Sequence, residues 1–354
     1  MDWWIYQGVP EPHTGIRRLP PPPPWREFDG GPPVPLPPGE DQASQRRLGD
    51  LHRAVAYRPD PTDLDLINAA LYLRRPLLVT GRPGIGKSTL AASIAHELAL
   101  GPVLRWPISS RSTLAQGLYS YDAVGRLHDA GLAHRGHDGG GRRGHDADQG
   151  GEYGGEATPS ADIGRYLRLG PLGTALLPYE QPRVLLIDEI DKGDIDLPND
   201  LLNVFEEGEY AIPELRRVAV DQPRIRVQID GSDELVTIEE GRVRCRSFPI
   251  VIMTSNGERD FPPAFLRRCL QLKLREPSRE HLASIVAAHF GADLLRESDQ
   301  LVDQFLARRD RGTLATDQLL NAIYLTSNIA AEDGRSREQL AELLFVNQRT
   351  NPDY

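Results

Sequence analysis

The sequence predicts an α/β fold: a parallel sheet wrapped by crossover helices, followed by a small all-helical unit. Three observations carry this. Short apolar runs recur along residues 76–274, each too short for a helix and each separated by a helical pattern. The run RVLLID (183–188) is continuously apolar, as a strand buried on both faces must be. After Pro277 only helical periodicity remains.

Residues 1–40 come first and stand apart. They hold 12 of the 30 prolines, and proline fixes φ and lacks an N–H, so an irregular, partly polyproline arm is expected. Trp3, Trp4, Tyr6, Trp25 and Phe28 give two readings: an arm that lays aromatics on a partner or on the protein's own body, or a loose tail with few anchors. Residues 41–75 read as two helical stretches, QRRLGDLHRAV and DLDLINAALYLRR, separated at Pro59 and Pro61. The strand candidates are PLLVT, VLRWPI (103–108), RVLLID, PIVIMTSN (249–256) and CLQLKL (269–274).

Two stretches interrupt the alternation. Residues 131–157 contain ten glycines and few apolar side chains, which predicts a mobile loop. RIRVQID and ELVTIE alternate apolar and polar residues around a GSD turn, a hairpin signal over 222–246, and VRCRS can add a third strand. The last part reads as four helical patterns: REHLASIVAAHF, SDQLVDQFLARR, TDQLLNAIYLTSNIAAE and REQLAELLF.

Composition bounds the function. A chain of 354 residues at roughly 150 per domain allows about two folded units and an appendage. With 41 Lys+Arg against 51 Asp+Glu the formal charge is −10, which argues against a protein that coats nucleic acid or anionic membrane. Two cysteines, Cys245 and Cys269, fit a reducing compartment. No apolar run reaches the ~20 residues of a membrane span, and the N-terminus lacks a signal-peptide pattern. A soluble, cytoplasmic protein without membrane partners is the expectation.

The chemistry concentrates at two places. Gly81-Arg82-Pro83-Gly84-Ile85-Gly86-Lys87-Ser88 has the GxxxxGKS spacing, follows a strand and opens a helix. Glycines let the backbone turn its N–H groups toward phosphate oxygens, and the helix start adds its positive dipole end. Lys87 is assigned to the β- and γ-phosphates, Ser88 to Mg²⁺, and Thr89 completes the loop. At the end of RVLLID, Asp188 and Glu189 emerge where open α/β sheets bind ligands. Asp188 is assigned to hold Mg²⁺ and Glu189 to polarise an attacking water. Asn256, ending PIVIMTSN, could hold that water from a neighbouring strand, or simply favour a turn with Gly257. Arg267 and Arg268 could neutralise charge on a transferred phosphoryl group, or form surface ion pairs.

Taken together, GRPGIGKS, YSYDAVGRL, GPLGTALL, VLLIDEIDKGDIDLPNDLLNVFEEGEYAIPE, VIMTSNGERDFPPAFLRRC and LATDQLLNAIYL resemble the AAA+ ATPases, a P-loop NTPase class, and within them the MoxR-type group. The resemblance runs from about Leu64 to about Leu325. It implies a five-stranded parallel sheet in the order 5-1-4-3-2 followed by a helical lid. Its domains would be an arm (1–40), the nucleotide-binding domain (41–276) and the lid (277–354). GRPGIGKS would be the Walker A motif and Asp188-Glu189 the Walker B acids, binding ATP and Mg²⁺. Asn256 resembles the sensor-1 residue. Arg268 resembles the arginine finger that reaches a neighbouring subunit's nucleotide, with Arg267 as second choice. The active form would be a ring of identical subunits, usually six. An insertion at about 112–173 and the hairpin at 222–246 would face the ring's pore or a client. MoxR-type relatives often act as chaperones on von Willebrand factor A or metal-containing proteins. There are departures: the place of the sensor-2 arginine reads Leu314-Ala315-Thr316-Asp317, and the glycine-rich loop and the proline-rich arm, read from composition, have no counterpart in the family pattern.

Rival readings are a nucleic-acid-stimulated motor on the same core and a slowly turning, nucleotide-gated scaffold. Weaker signals have plainer readings. His128, His134, His137 and His145 among Asp129, Asp138 and Asp146 are irregularly spaced, so a solvated loop is expected rather than a metal site. Arg242, Arg244 and Arg246, with Arg224 and Arg226, can form a basic strand face. Asp191 and Lys192 are expected to form an interface ion pair, and Trp106 to sit in the core or beside a nucleotide.

Overall fold

The computed structural model describes residues 3–36, 54–129, 163–291, 294, 298–309, 314–328 and 345. The glycine-rich stretch with His134, His137 and His145, most of the first helical pattern, and the final pattern REQLAELLF apart from Phe345 lie outside the described residues.

The elements follow the sequence pattern. Helix α1 (Pro61–Leu73) starts where Asp60 accepts the Thr62 N–H and Pro61 occupies the first turn. Strand β1 (Leu77–Thr80) leads into α2 (Lys87–Glu97), and β2 (Leu104–Pro107) follows. Then come α3 (Leu114–Leu118), β3 (Tyr119–Tyr121), β4 (Leu167–Leu169) and α4 (Pro171–Ala175). Strand β5 (Val184–Asp188), α5 (Leu197–Glu207), β6 (Glu209–Ala211) and α6 (Pro213–Val218) precede the hairpin. The hairpin is β7 (Arg224–Gln228) and β8 (Leu235–Glu239), with β9 (Arg242–Arg244) after it. Strand β10 (Ile250–Ser255), α7 (Pro263–Arg268) and β11 (Leu270–Lys273) finish the α/β part. Helices α8 (Arg279–Phe290), α9 (Asp299–Arg309) and α10 (Thr316–Asn328) form the helical end.

Five strands make a parallel sheet in the spatial order β11-β1-β10-β5-β2. Counted along the chain, that is 5-1-4-3-2, the expected order. Side chains alternate between its faces, so each face has its own core. Leu78, Leu185, Ile187, Val251 and Met253 pack into one. Leu77, Val79, Val184, Leu186 and Ile252 pack into the other, together with α1 and α2. A third, separate cluster holds the helical end around Leu282, Val302, Phe305 and Ile323.

The two insertions do not stay apart. Strands β3, β4, β7, β8, β9 and β6 join in one six-stranded sheet. Its inner residues, among them Val227, Ile238, Val243 and Tyr210, fill the first core.

The proline-rich arm lies on the protein's own body. Ile5 and Tyr6 are buried in the second core. Asn68 accepts the N–H groups of Ile5 (2.7 Å) and Tyr6 (3.0 Å) and donates to the Tyr6 carbonyl. Glu97, at the end of α2, accepts from the N–H groups of Gln7 and Val9 and faces the His13 ring at 2.9 Å. Farther on, Arg26 lies over the Phe248 ring (4.4 Å to its centre), and Val34 bridges to Tyr179. Among the described residues no helix is long and apolar enough to cross a membrane.

Candidate functional site

The parallel sheet delivers β1, β10 and β5 side by side, with their C-terminal ends together. Everything predicted for the site except Arg268 gathers there. Gly84 and Gly86 adopt φ of 74° and 95°, a region glycine enters without steric cost. Gly86 is also the residue from which α2 starts. A Cβ on Gly84 would fall 2.3 Å from the Ala315 Cβ, so the loop and the start of α10 touch here.

Lys87 is 7% exposed and points back through the loop. Its ammonium donates to the carbonyls of Gly81 (2.7 Å) and Arg82 (2.9 Å) and to Asn256 Oδ1 (2.7 Å). Burial lowers its pKa, and the nearby Asp191, Asp188 and Glu189 work against that shift. The Arg82 side chain pairs with Glu276, the acid that also faces Arg309 of α9 at 3.4 Å.

Asp188 Oδ1 accepts two hydroxyls, Ser88 Oγ at 2.7 Å and Thr254 Oγ1 at 2.6 Å. Thr254 is fully buried and in turn accepts the Glu189 N–H at 2.9 Å. Ser88 and Asp188 thus present hard oxygen donors to one point, the donor type that Mg²⁺ takes. Their arrangement fits that ion.

Glu189 sits at φ 58°, ψ 51°, an uncommon left-handed conformation for a residue with a side chain. The chain therefore breaks out of β5 at this residue. Its carboxylate meets Lys192 Nζ at 2.7 Å and Asn256 Nδ2 at 3.4 Å. The glutamate also raises the Lys192 pKa.

A cleft of about 780 Å³ runs over these groups. It is lined by Pro83, Gly84, Ile85, Gly86, Lys87, Ser88 and Thr89 from the loop, and by Asp188, Glu189, Thr254 and Asn256 from the strand ends. Tyr57 and Arg58 close one side; burial pushes the Tyr57 hydroxyl up. The described part of the helical end contributes His281, His289, Thr316 and Asp317, among others, and no arginine. That volume lies in the range of small-molecule sites.

One reading needs correction. Asp191 and Lys192 do not pair with each other. Asp191 is 3% exposed, and its Oδ2 accepts the N–H groups of Asn256 (2.9 Å) and Glu258 (3.1 Å), fixing the end of β10. Lys192 pairs with Glu189 instead. Trp106 is a core residue, packed against Gly117. Arg268 is exposed at the end of α7, pairs with Glu206, and does not line the cleft of its own chain; Arg267 is exposed beside it. Among the described residues no group of three or more His, Cys, Asp or Glu side chains is placed to hold a metal. Thr254 was not singled out by sequence, and Asp191 was read there only as an ion-pair partner. Thr254 lies two residues before Asn256, on the same side of a strand, and that spacing was the available signal.

No curated protein matches the chain. Among solved structures, the Thermotoga maritima RuvB Holliday junction branch migration motor is similar with a TM-score of 0.38 and 16% identity, over 80% of this chain and 66% of that one. The match thus spans a little under two thirds of that motor's length. A family model described as the AAA domain of the dynein-related subfamily matches residues 76–269, more than half of the chain. The chain belongs to the AAA family, in its dynein-related subfamily.

Proposed function

We propose that this protein is a Mg²⁺-dependent ATPase of the MoxR type that assembles as a homo-oligomeric ring, six-membered by analogy, and remodels a protein client. The supporting observation is the convergence of Lys87, Ser88, Asp188, Glu189 and Asn256 on one cleft through direct hydrogen bonds. Members of the family are generally ATPases.

In this reading the loop N–H groups and Lys87 bind the phosphates. Mg²⁺, held by Ser88 and Asp188, neutralises charge on the phosphates. Thr254 orients Asp188, and Asn256 orients Glu189 and the attacking water. Glu189 must leave Lys192 to take a proton from that water. Arg268 leaves Glu206 and reaches the neighbouring copy's nucleotide, so assembly controls turnover. The core (41–276) and the lid (277–354) are taken as separate units, in keeping with the separate apolar cluster of the helical end, and the arm (1–40) as a segment whose described part packs on the core. A von Willebrand factor A protein is the client class suggested by resemblance, in the cytoplasm.

A slowly turning, nucleotide-gated scaffold is the second reading. It is favoured by the absence of an arginine among the described lid residues lining the cleft, where Thr316 and Asp317 stand. Steady-state ATPase assays with and without Mg²⁺ test the proposal. The ATPase reading requires metal-dependent turnover abolished in Glu189→Gln. Equal rates in the two proteins would refute it, and nucleotide binding without turnover would select the scaffold.

A further inference from the structure

The six-stranded sheet has an apolar inner face and an outer face rich in arginine. On that outer face Arg224 lies 3.2 Å from Glu239, and Arg244 meets Asp29 at 2.7 Å and Glu209 at 3.0 Å. Arg242 lies 3.9 Å from Glu209. Each of these three has a carboxylate.

Among the described residues Arg168 and Arg226 have none. The register sets Arg168 of β4 against Gln228 of β7, and Arg226 stands two residues back on β7, on the same face. They are diagonal neighbours on adjacent strands, within reach of each other's long side chains. Both are exposed, and neither has an ion pair or side-chain hydrogen bond to another described residue. Across β7 from Arg168, the register continues to Leu235, which is 50% exposed. Among the described residues, two guanidiniums without an ion pair therefore sit beside a half-exposed apolar side chain, with Asp233 held by Gln228 at the near edge.

We infer that this corner, Arg168 and Arg226 with Leu235, is a docking site for an acidic polypeptide segment that also presents an apolar residue. Paired guanidiniums suit carboxylates because each can hold one through two parallel N–H bonds. The rest of the face decides against a nucleic-acid strand. Glu239, Glu209 and Asp29 occupy its far side, where a regularly charged phosphate backbone would meet them. The outward residues of its strands include no aromatic on which a base could stack. A polypeptide can place two carboxylates over Arg168 and Arg226 and leave the acidic side uncontacted. The inference gives the proposed protein client a chemical class, but it stands on the sheet and needs no nucleotide turnover.

The test is fluorescence anisotropy on the full chain without nucleotide. The probe is a fluorescein-labelled peptide of glutamates interrupted by leucines. Its lysine counterpart and an oligo-dT of matched length are the comparisons. The glutamate peptide is expected to bind, more weakly as salt rises, and to bind about tenfold more weakly to Arg168→Glu/Arg226→Glu. Arg242→Gln/Arg244→Gln, which removes only neutralised arginines, should stay near wild type. Circular dichroism and thermal midpoints confirm that the variants are folded, and basal ATPase should be unchanged in Arg168→Glu/Arg226→Glu. No binding to folded wild-type protein, equal binding to Arg168→Glu/Arg226→Glu, or preferential binding of oligo-dT would overturn the inference. Loss of ATPase in wild type would defeat the proposed function and leave this one standing.

Discussion

Thr254 links the two acids of the candidate site: its hydroxyl donates to Asp188 and accepts the Glu189 N–H. Residues that orient a metal ligand in this way typically matter by about 10–100-fold in metal affinity or activity. Thr254→Val keeps the shape and removes both bonds. Its ATPase is expected to need more Mg²⁺, which a metal titration of the initial rate would reveal; an unchanged titration curve would show that Thr254 only fills space. Glu189→Gln should keep nucleotide affinity and lose about 10²–10⁴-fold in turnover, the usual contribution of a general base. Much of this site was legible in sequence, because a phosphate loop and a strand-end acid pair have local requirements: glycines at the bends, a lysine at the helix start, apolar residues before the acids. The roles of Thr254 and Asp191 were not. They arise only because β10 lies parallel to β5, which sets residues about 65 positions apart side by side.

The strands of the parallel sheet were readable within a residue or two, since a parallel strand is apolar on both faces and ends where polar residues begin. The pairing of β4 with β7 was not, because strand partnership across a long insertion leaves no local pattern. The same holds for the arm, whose composition speaks of irregular backbone and not of what it touches. The contacts make it part of the folded body. Asn68→Ala would strip the buried N–H groups of Ile5 and Tyr6 of their acceptor. That should cost about 2–4 kcal/mol and expose the arm to limited proteolysis. A wild-type thermal midpoint and digestion pattern would count against it. Glu97 adds a pH dependence. Burial raises its pKa, against the bonds it accepts from Gln7, Val9 and His13. The folded chain therefore keeps this proton to higher pH than the unfolded chain does. The stability from that proton is complete in acid and is lost as pH rises through the raised value. Glu97→Gln cannot ionise, so its stability relative to wild type should improve over the interval that starts at the ordinary glutamate pKa of about 4.3 and runs upward. Denaturant midpoints across that interval would show it; a constant difference would mean that the bonds offset burial.

At the scale of the whole molecule, the separation of Arg268 from its own chain's cleft is the feature that calls for a second copy. If Arg268 serves a neighbour, Arg268→Ala and Glu189→Gln should each be inactive. Mixed, they should regain part of the activity, because one interface in the mixture combines an intact glutamate with an intact arginine. No recovery on mixing would remove Arg268 from that role and return attention to Arg267. The lid reaches the loop through two contacts of a different kind, Ala315 against Gly84 and Arg309 through Glu276 to Arg82. These can transmit lid position to the phosphate loop without a lid arginine among the described residues lining the cleft. All of this presupposes that a metal–triphosphate occupies the space between Lys87 and Asp188. Calorimetric titration of purified chain with ATP, with Mg²⁺ and with chelator, tests that most directly. Binding that requires Mg²⁺ and disappears in Lys87→Ala is the predicted result; heat that is absent, or identical with metal removed and lysine replaced, would contradict it.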